Sequence, residues 1–174
     1  MEKLEIKHAV PYLPYGLKAV HEYSDRTMIG VVSRIEVNQR SDGSVWYDIS
    51  LKNKERARDV SLESIKLVLR PLSDLYKEDE NGLIPIIELA RISFKNSVYG
   101  RFICEKDKCK VWSDSSSITF RYSPIYGFTL HYNGRIEPAK NQLDLFTYLF
   151  EHHYDVFGLI DKGLAIDLNS ISHE

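Results

Sequence analysis

The chain has 174 residues, of which 43% are hydrophobic, and a formal net charge of −2 at pH 7. This length accommodates one domain or two small ones, and the apolar content excludes an intrinsically disordered chain. The slight negative charge does not favour a non-specific nucleic-acid binder, because such proteins usually carry a clear positive excess.

The cysteine content and the N-terminal residues bear on the cellular compartment. Cys104 and Cys109 are the two cysteines, too few for the disulfide framework of a small secreted domain. Met1–Lys7 alternates charged and hydrophobic residues and lacks the apolar segment of a signal peptide. No window approaches the roughly 18 consecutive apolar residues that a membrane-spanning helix needs. We therefore expect a cytoplasmic protein that does not associate with membranes.

Residues 1–72 are predicted to form a β-rich subdomain. Short segments of alternating polarity, rich in β-branched residues, are separated by turn signals, of which Asp42-Gly43 is the strongest. The predicted strands are Leu17–Tyr23, Met28–Val37, Val45–Leu51 and one within Val60–Leu69. Their number and spacing favour a small barrel or meander with the rhythm of SH3-like barrels.

Residues 73–174 are predicted to form an α+β subdomain. The boundary falls at Leu69–Leu75, where Pro71 ends the preceding strand. A helix is expected over Ile84–Lys95, because Pro85 suits a first helical turn and apolar residues follow at helical spacing. Strands are then predicted at Gly100–Cys104, Lys110–Trp112, Ser117–Tyr122, Phe128–Tyr132 and Arg135–Glu137. Turn signals separate these strands, so the sheet is expected to be antiparallel.

A long C-terminal helix over Asn141–Phe157 is expected to pack on this sheet. Asn141 suits the N-cap, Gly158 suits the position after the last turn, and Leu143 lies on a broad apolar face. A short strand at Leu164–Leu168 follows the helix. The predicted fold class is therefore α+β, with a barrel-like N-terminal part and a helix-covered antiparallel sheet.

Two stretches carry a resemblance to a known family. LRPLSDL at Leu69–Leu75 and FEHHYDVFGLIDKGLAIDLN at Phe150–Asn169 resemble short uncharacterised bacterial proteins that are usually encoded by phages, prophages and other mobile elements. PYLPYGLK at Pro11–Lys18 matches more weakly. The resemblance implies a phage or mobile-element accessory protein. Because the family has no established activity, it assigns no functional residue.

The sequence carries no recognisable catalytic motif. The phosphate-binding patterns GxGxxG and GxxxxGK[ST] are absent, as are GxSxG and HExxH. Four charged residues separate Cys104 from Cys109, which fits a hairpin turn better than a zinc site, since zinc usually takes about four ligands in two pairs. His152 and His153 diverge by about 100° around a helix and cannot act as one pair. We expect no catalytic residue, no cofactor and no metal ligand.

The most informative local feature is a basic, aromatic stretch in the middle of the chain. Arg91–Arg121 holds seven basic and three acidic residues. Strand alternation places Arg101 and Arg121 on one face of their strands, with Phe102 and Phe120 on the other. We predict a surface for an anion or a partner that comprises Arg91, Lys95, Arg101, Lys108, Lys110, Trp112 and Arg121.

Three classes of function remain after these exclusions. A non-enzymatic binding protein, directed at a host or defence protein, fits the small size and the mobile-element resemblance. A nucleic-acid-binding accessory protein would use aromatic side chains to stack bases and basic side chains to contact phosphates. A small metal-dependent enzyme built on Glu151, Asp161 and Asp167 fits least well, because a capped helix end and a strand edge explain the same residues. The sequence makes no prediction of oligomeric state.

Overall fold

A computed structural model describes residues 2–23, 27–54, 56–94, 101–105, 108–113 and 116–171. Two sheets and a few short helices make these residues a mixed α+β structure, which confirms the predicted fold class. Contacts divide the chain into two units, one of Met1–Pro71 with Phe150–Glu174 and one of Leu72–Leu149. No helix within the described ranges is long and apolar enough to cross a membrane.

The regular elements are short, as the frequent turn signals predict. The helices are α1 (Ile6–Ala9), α2 (Pro85–Ser93) and α3 (Gln142–Glu151). The strands are β1 (Lys18–Glu22), β2 (Thr27–Gln39), β3 (Val45–Lys52), β4 (Ala57–Ser61), β5 (Ile65–Leu69), β6 (Arg101–Glu105), β7 (Lys108–Ser113), β8 (Ser116–Ser123), β9 (Gly127–Tyr132), β10 (Arg135–Pro138) and β11 (Ala165–Asp167). Single 3₁₀ segments cover Val10–Tyr15, Leu62–Ser64, Leu72–Tyr76 and Leu168–Ser170.

The first sheet belongs to the first unit and has the strand order β11-β5-β1-β2-β3-β4. Neighbouring strands are antiparallel, except that β11 runs parallel to β5. The β2–β3 hairpin turns where Asp42-Gly43 predicts it. Gly43 has a positive φ of 85°, and the Ser44 N–H donates to Asp42 Oδ1 at 2.9 Å. Such backbone angles are readily adopted by glycine, which explains the sequence signal.

The predicted barrel is not confirmed, because the described strands form an open sheet. A five-stranded barrel would close by pairing β4 with the second edge of β5. That edge of β5 pairs instead with β11, through the register Ala165↔Leu67 and Asp167↔Leu69. The opposite edge is β4, a short, largely exposed strand with the charged residues Arg58 and Asp59. Charged side chains on a short edge strand disfavour further pairing.

The C-terminal helix is shorter than predicted, since α3 ends at Glu151 rather than Phe157. His153 takes a left-handed backbone conformation with φ of 58°, which ends the helix. The chain then pairs with the end of β5: the Arg70 N–H donates to His153 O at 2.7 Å, and the Asp155 N–H donates to Arg70 O at 2.8 Å. Gly158 therefore lies in a later turn and does not follow the last helical turn.

The end of the helix also forms part of the aromatic core of the first unit. Tyr12 is fully buried, and its hydroxyl donates to Tyr154 O at 2.8 Å. Its ring meets Phe150 edge-on at a centroid distance of 5.1 Å and Phe157 at 6.3 Å. Tyr12 thus shares a single core cluster with Phe150 and Phe157 from the other end of the first unit's sequence.

The second sheet belongs to the second unit and is an antiparallel meander with the order β10-β9-β8-β7-β6. Helix α2 packs against β6 and β7. Phe146 of α3 packs against Tyr122 and Phe128, at centroid distances of 6.2 and 5.7 Å. The helices thus cover one face of the sheet. The predicted packing of a C-terminal helix on an antiparallel sheet is found in the first two turns of α3.

The start of α3 differs in detail from the prediction. The Asn141 side chain donates to Ile92 O, at the end of α2, at 3.0 Å, and so it does not serve as the predicted cap. Leu143 points to solvent with 80% of its surface exposed, whereas Leu145 and Leu149 are fully buried. The buried face of α3 is therefore rotated from the one predicted.

The chain divides into its two units after Pro71 and again before Phe150. Phe150–Glu174 groups with the first unit, because β11 and the bridge between Arg70 and Tyr154 join it to β5. The second unit is thus inserted in sequence between two parts of the first. The two subdomains 1–72 and 73–174 stay a prediction from the sequence.

Candidate functional site

The strand register of the second sheet gathers polar and apolar side chains on the face away from the helices. In antiparallel pairs, residues directly opposite each other point to the same side. One row runs across all five strands, through the pairs Ile103↔Lys110, Lys110↔Thr119, Thr119↔His131 and His131↔Ile136. We call this side the open face, and it comprises Arg101, Ile103, Glu105, Lys108, Lys110, Trp112, Thr119, Arg121, Thr129, His131, Ile136 and Pro138.

The opposite face of the same strands is the core of the second unit. Cys109, Val111, Phe120 and Phe128 are buried there. The rings of Phe120 and Phe128 stack with a centroid distance of 5.6 Å. Burial of this face fixes the register, because a shift by one residue would expose these side chains. The open face is therefore presented by strands of a fixed register.

Five of the seven predicted surface residues lie together on the open face. They are Arg101, Lys108, Lys110, Trp112 and Arg121. Arg91 is not among them: it lies on α2, pairs with Glu88, and places its guanidinium 5.4 Å from the centroid of the Phe102 ring on the other side of the sheet. Because Arg91 lies on a helix, the alternation of side chains along a strand does not predict where it points. Lys95 lies outside the described residues.

Glu105 reduces the positive charge of the open face. Its carboxylate accepts from Lys110 Nζ at 2.6 Å and pairs with Lys108 Nζ at 3.1 Å. The hydrogen bond from Lys110, followed by that from Lys108, holds the pKa of Glu105 below its usual value. Lys108 and Lys110 are thus engaged by the same carboxylate, and Arg101 and Arg121 are the other basic residues that the described strands place on the open face.

Exposed apolar side chains interleave with these charges. Trp112 exposes 45% of its surface and lies directly opposite Arg101. Ile103 is 37% exposed on β6, and Ile136 is 67% exposed on β10. Exposed aromatic and aliphatic groups that are rimmed by charged residues are typical of interaction surfaces.

A cavity of about 750 Å³ opens beside the β8–β9 turn. Its lining residues come from β8, β9 and β10, from that turn and from the 3₁₀ segment Leu72–Tyr76: Tyr76, Arg121, Tyr122, Ser123, Tyr126, Thr129, His131, Ile136 and Pro138. Of these, Tyr122 points to the helix-covered side of the sheet. Within the cavity, Thr129 Oγ1 and His131 Nε2 lie 3.0 Å apart in a hydrogen bond.

Sequence reasoning missed this cavity. The alternation of Thr129 and His131 with the apolar Phe128 and Leu130 is a signal for a polar face on β9. Tyr76, however, reaches the site from a segment more than 40 residues away, about which the local pattern says nothing.

The other residues considered for chemistry do not form a reactive site. Cys104 and Cys109 lie directly opposite each other on β6 and β7 as free thiols. Burial raises the pKa of Cys109 to about 12, so its reactive thiolate is scarcely populated at neutral pH. Asp167 accepts from the Asn169 N–H at 2.8 Å and caps a 3₁₀ turn. Within the residues that the structure describes, no group of three or more His, Cys, Asp or Glu side chains could hold a metal ion.

No family model matches the chain, and neither a curated protein nor a solved structure matches it. The two stretches that carry the mobile-element resemblance are paired with each other, through Arg70 and Tyr154 and through β5 and β11. Their paired residues, among them Arg70 and Tyr154, belong to the first unit, whereas Leu72–Leu75 belongs to the second.

Proposed function

We propose that this protein is a non-enzymatic binding protein whose second unit engages an acidic protein partner through the open face. The observation that carries the proposal is the exposed ring of Trp112, which lies directly opposite Arg101 and next to the pair of Ile103 and Lys110 on the same face of the sheet. Tryptophan and arginine are the residues that most often dominate the binding energy of protein interfaces. The basic side chains surrounding the ring favour an acidic partner.

A protein partner suits this face better than a nucleic acid. Nucleic-acid affinity rests on several unpaired cations that replace phosphate counterions, and Glu105 already engages Lys108 and Lys110. Stacking surfaces for single strands use successive aromatic rings, whereas the exposed apolar neighbour of Trp112 on the adjacent strand β6 is the aliphatic Ile103. Aliphatic side chains of this kind pack well in the apolar centre of a protein interface.

The resemblance of Leu69–Leu75 and Phe150–Asn169 to proteins of phages and mobile elements supplies the proposed context. In that context the protein acts in the cytoplasm of a bacterial host, and the partner is a host or defence protein. The absence of a catalytic motif in the sequence supports action by binding alone.

The test is a comparison of two tryptophan variants. Wild-type protein would be used to capture a partner from host lysate, and the affinity of that purified partner would then be measured for Trp112→Ala and Trp46→Ala. Trp46 is the matched control, because it is 38% exposed and lies near a basic residue, Arg40, but in the first unit. A single-stranded oligonucleotide provides the nucleic-acid arm in a gel-shift assay.

Trp112→Ala should weaken partner binding at least about tenfold, or ~1.4 kcal/mol, because it removes the central anchor of the interface. Trp46→Ala should bind as the wild type does. Equal affinities of Trp112→Ala and wild type would refute the proposal. Salt-dependent oligonucleotide binding that is lost in Trp112→Ala would favour the nucleic-acid alternative instead.

A further inference from the structure

The cavity beside the β8–β9 turn has the dimensions of a small-molecule site. Its volume of about 750 Å³ lies within the roughly 300–1,000 Å³ typical of ligand pockets. The cavity belongs entirely to the second unit, whose sheet fixes the positions of its floor residues. Trp112 and Arg101, which carry the proposed partner surface, do not line it.

The walls of the cavity are mainly aromatic and aliphatic. Its aromatic lining residues are Tyr76, Tyr122 and Tyr126, and its aliphatic ones are Ile136 and Pro138. The ring of Tyr122 points to the helix-covered face, where it packs on Phe128 at a centroid distance of 4.8 Å, so Tyr76 and Tyr126 are the candidates for ring contact with a ligand. Flat aromatic walls of this kind bind planar rings by stacking and by edge-to-face contact.

Polar groups lie at one side of the cavity and determine its charge. Thr129 is 8% exposed and its hydroxyl is hydrogen-bonded to His131. Burial, and then the charge of Arg121, lower the pKa of His131, so its ring is neutral at pH 7. Among the described residues that line the cavity, none is an aspartate or a glutamate. Arg121 lines the cavity, and the planar fork of N–H donors on its guanidinium is suited to a carboxylate or phosphate.

We propose that the cavity binds a small planar aromatic molecule that carries one anionic group. The ring lies against the tyrosine walls and Ile136, and the anionic group binds the Arg121 guanidinium. Thr129 and His131 supply further hydrogen bonds beside it. The cavity shares residues such as Arg121 and His131 with the open face, but its ligand is tested without changing Trp112 or Arg101, so either proposal can fail without the other.

The probes are chosen to separate the ring from the charge. 2-Naphthoate carries both, 2-naphthamide keeps the ring without the charge, and inorganic phosphate has the charge without the ring. Binding of each to the full chain is measured by isothermal titration calorimetry. Wild-type protein should bind 2-naphthoate with one-to-one saturation, 2-naphthamide at least about tenfold more weakly, and inorganic phosphate more weakly still.

Two substitutions of arginine test the position of the anionic group. Arg121→Gln should reduce the affinity for 2-naphthoate to that for 2-naphthamide. Arg135→Gln is the matched control, because Arg135 is exposed on β10 next to Ile136 but points to the other side of the sheet. It should leave the affinity for 2-naphthoate unchanged.

Tyr126→Ala keeps the proposal testable if Arg121→Gln does not fold. Tyr126 lies in the turn with 74% of its surface exposed, so its removal should not disturb the sheet. The variant should weaken 2-naphthoate and 2-naphthamide by the same factor, since both lose a ring contact. The proposal is wrong if wild-type protein does not bind 2-naphthoate saturably, or binds both aromatic probes equally well. It is also wrong if Arg135→Gln loses as much affinity as Arg121→Gln, or if Tyr126→Ala binds both probes as the wild type does.

Discussion

At the scale of single residues, His153 ends α3 through its backbone conformation and carries a buried ring. It has a positive φ of 58° without being glycine, and its carbonyl accepts from the Arg70 N–H at 2.7 Å. Burial, followed by the charges of His152, Arg70 and Lys18, lowers the pKa of its ring. Among the described residues, its buried Nε2 atom has no hydrogen-bond partner. The folded protein therefore favours the neutral form of this histidine.

This preference predicts a pH dependence of stability. The unfolded chain takes up a proton on His153 near pH 6.5, whereas the folded chain does so only at lower pH. The free energy of unfolding should consequently fall as the pH drops through 6.5. His153→Asn should flatten this dependence, because asparagine also tolerates positive φ but does not titrate. Urea denaturation at pH 7.5 and 5.5 measures the effect.

The free energies of unfolding of His153→Asn and wild type at pH 7.5 provide an internal control, because histidine is mainly neutral there and asparagine can adopt the backbone conformation that ends α3. Part of the slope should remain in the variant, since burial also lowers the pKa of His8 and His131. A slope in His153→Asn as steep as that of the wild type would show that the histidine does not contribute.

At the scale of elements, one glutamine fixes α3 on the second sheet. Gln142 Oε1 accepts from the Phe128 N–H at 3.1 Å, and its Nε2 donates to Phe128 O at 2.5 Å and to Ala139 O at 3.1 Å. The Gln142 side chain thus bonds both backbone groups of Phe128, as a neighbouring strand would, just beyond the last residue of β9 that pairs with β10. The first turn of the helix is thereby joined to the sheet backbone.

Gln142→Ala should destabilise the protein by about 1–3 kcal/mol, because it leaves the Phe128 N–H without its acceptor, while Phe128 O keeps its hydrogen bond from the Ala139 N–H at 2.9 Å. Leu143→Ala is the matched control on the neighbouring residue, which is 80% exposed, and it should change stability by less than about 0.5 kcal/mol. Urea denaturation of both variants measures the difference. Equal stabilities of the two variants would contradict this role of Gln142.

Local patterns could predict the strands of the second sheet but not the ends of its helix. Alternation predicts that Arg101 and Arg121 point to one face of the sheet and Phe102 and Phe120 to the other, as the structure shows. Side chains in a strand alternate with a period of two residues, so burial of one face determines which residues are exposed on the other. The end of α3 depends on a partner far away in sequence, the backbone of Arg70. Tyr76 likewise enters the cavity from outside the sheet, so neighbouring residues carry no signal for either feature.

At the scale of the whole molecule, the first sheet contains strands from both parts of the first unit, and the strands of the second sheet lie between those parts in the sequence. Proline at Pro71 marks the first boundary in the sequence. The second boundary, before Phe150, has no such residue in the sequence. It depends on the parallel pairing of β11 with β5, which are almost 100 residues apart. Long-range pairing of this kind is invisible to a reading by local periodicity.

Recognition of a partner by the open face of the second unit can be tested by reversing the charge of single residues. The account predicts attraction of an acidic protein, so reversing a charge at the open face should act on both affinity and salt dependence. Arg101 is suited to this change, because it is exposed and lies beside Trp112. Arg135, exposed on the other side of the same sheet, gives the matched control.

The most direct test is therefore the affinity of the captured partner for Arg101→Glu and Arg135→Glu at low and high salt. Arg101→Glu should weaken binding at least about tenfold at low salt, and the difference from wild type should shrink as salt screens the charges. Arg135→Glu should bind as the wild type does. Equal losses in both variants, or unchanged binding by Arg101→Glu, would contradict recognition through the open face.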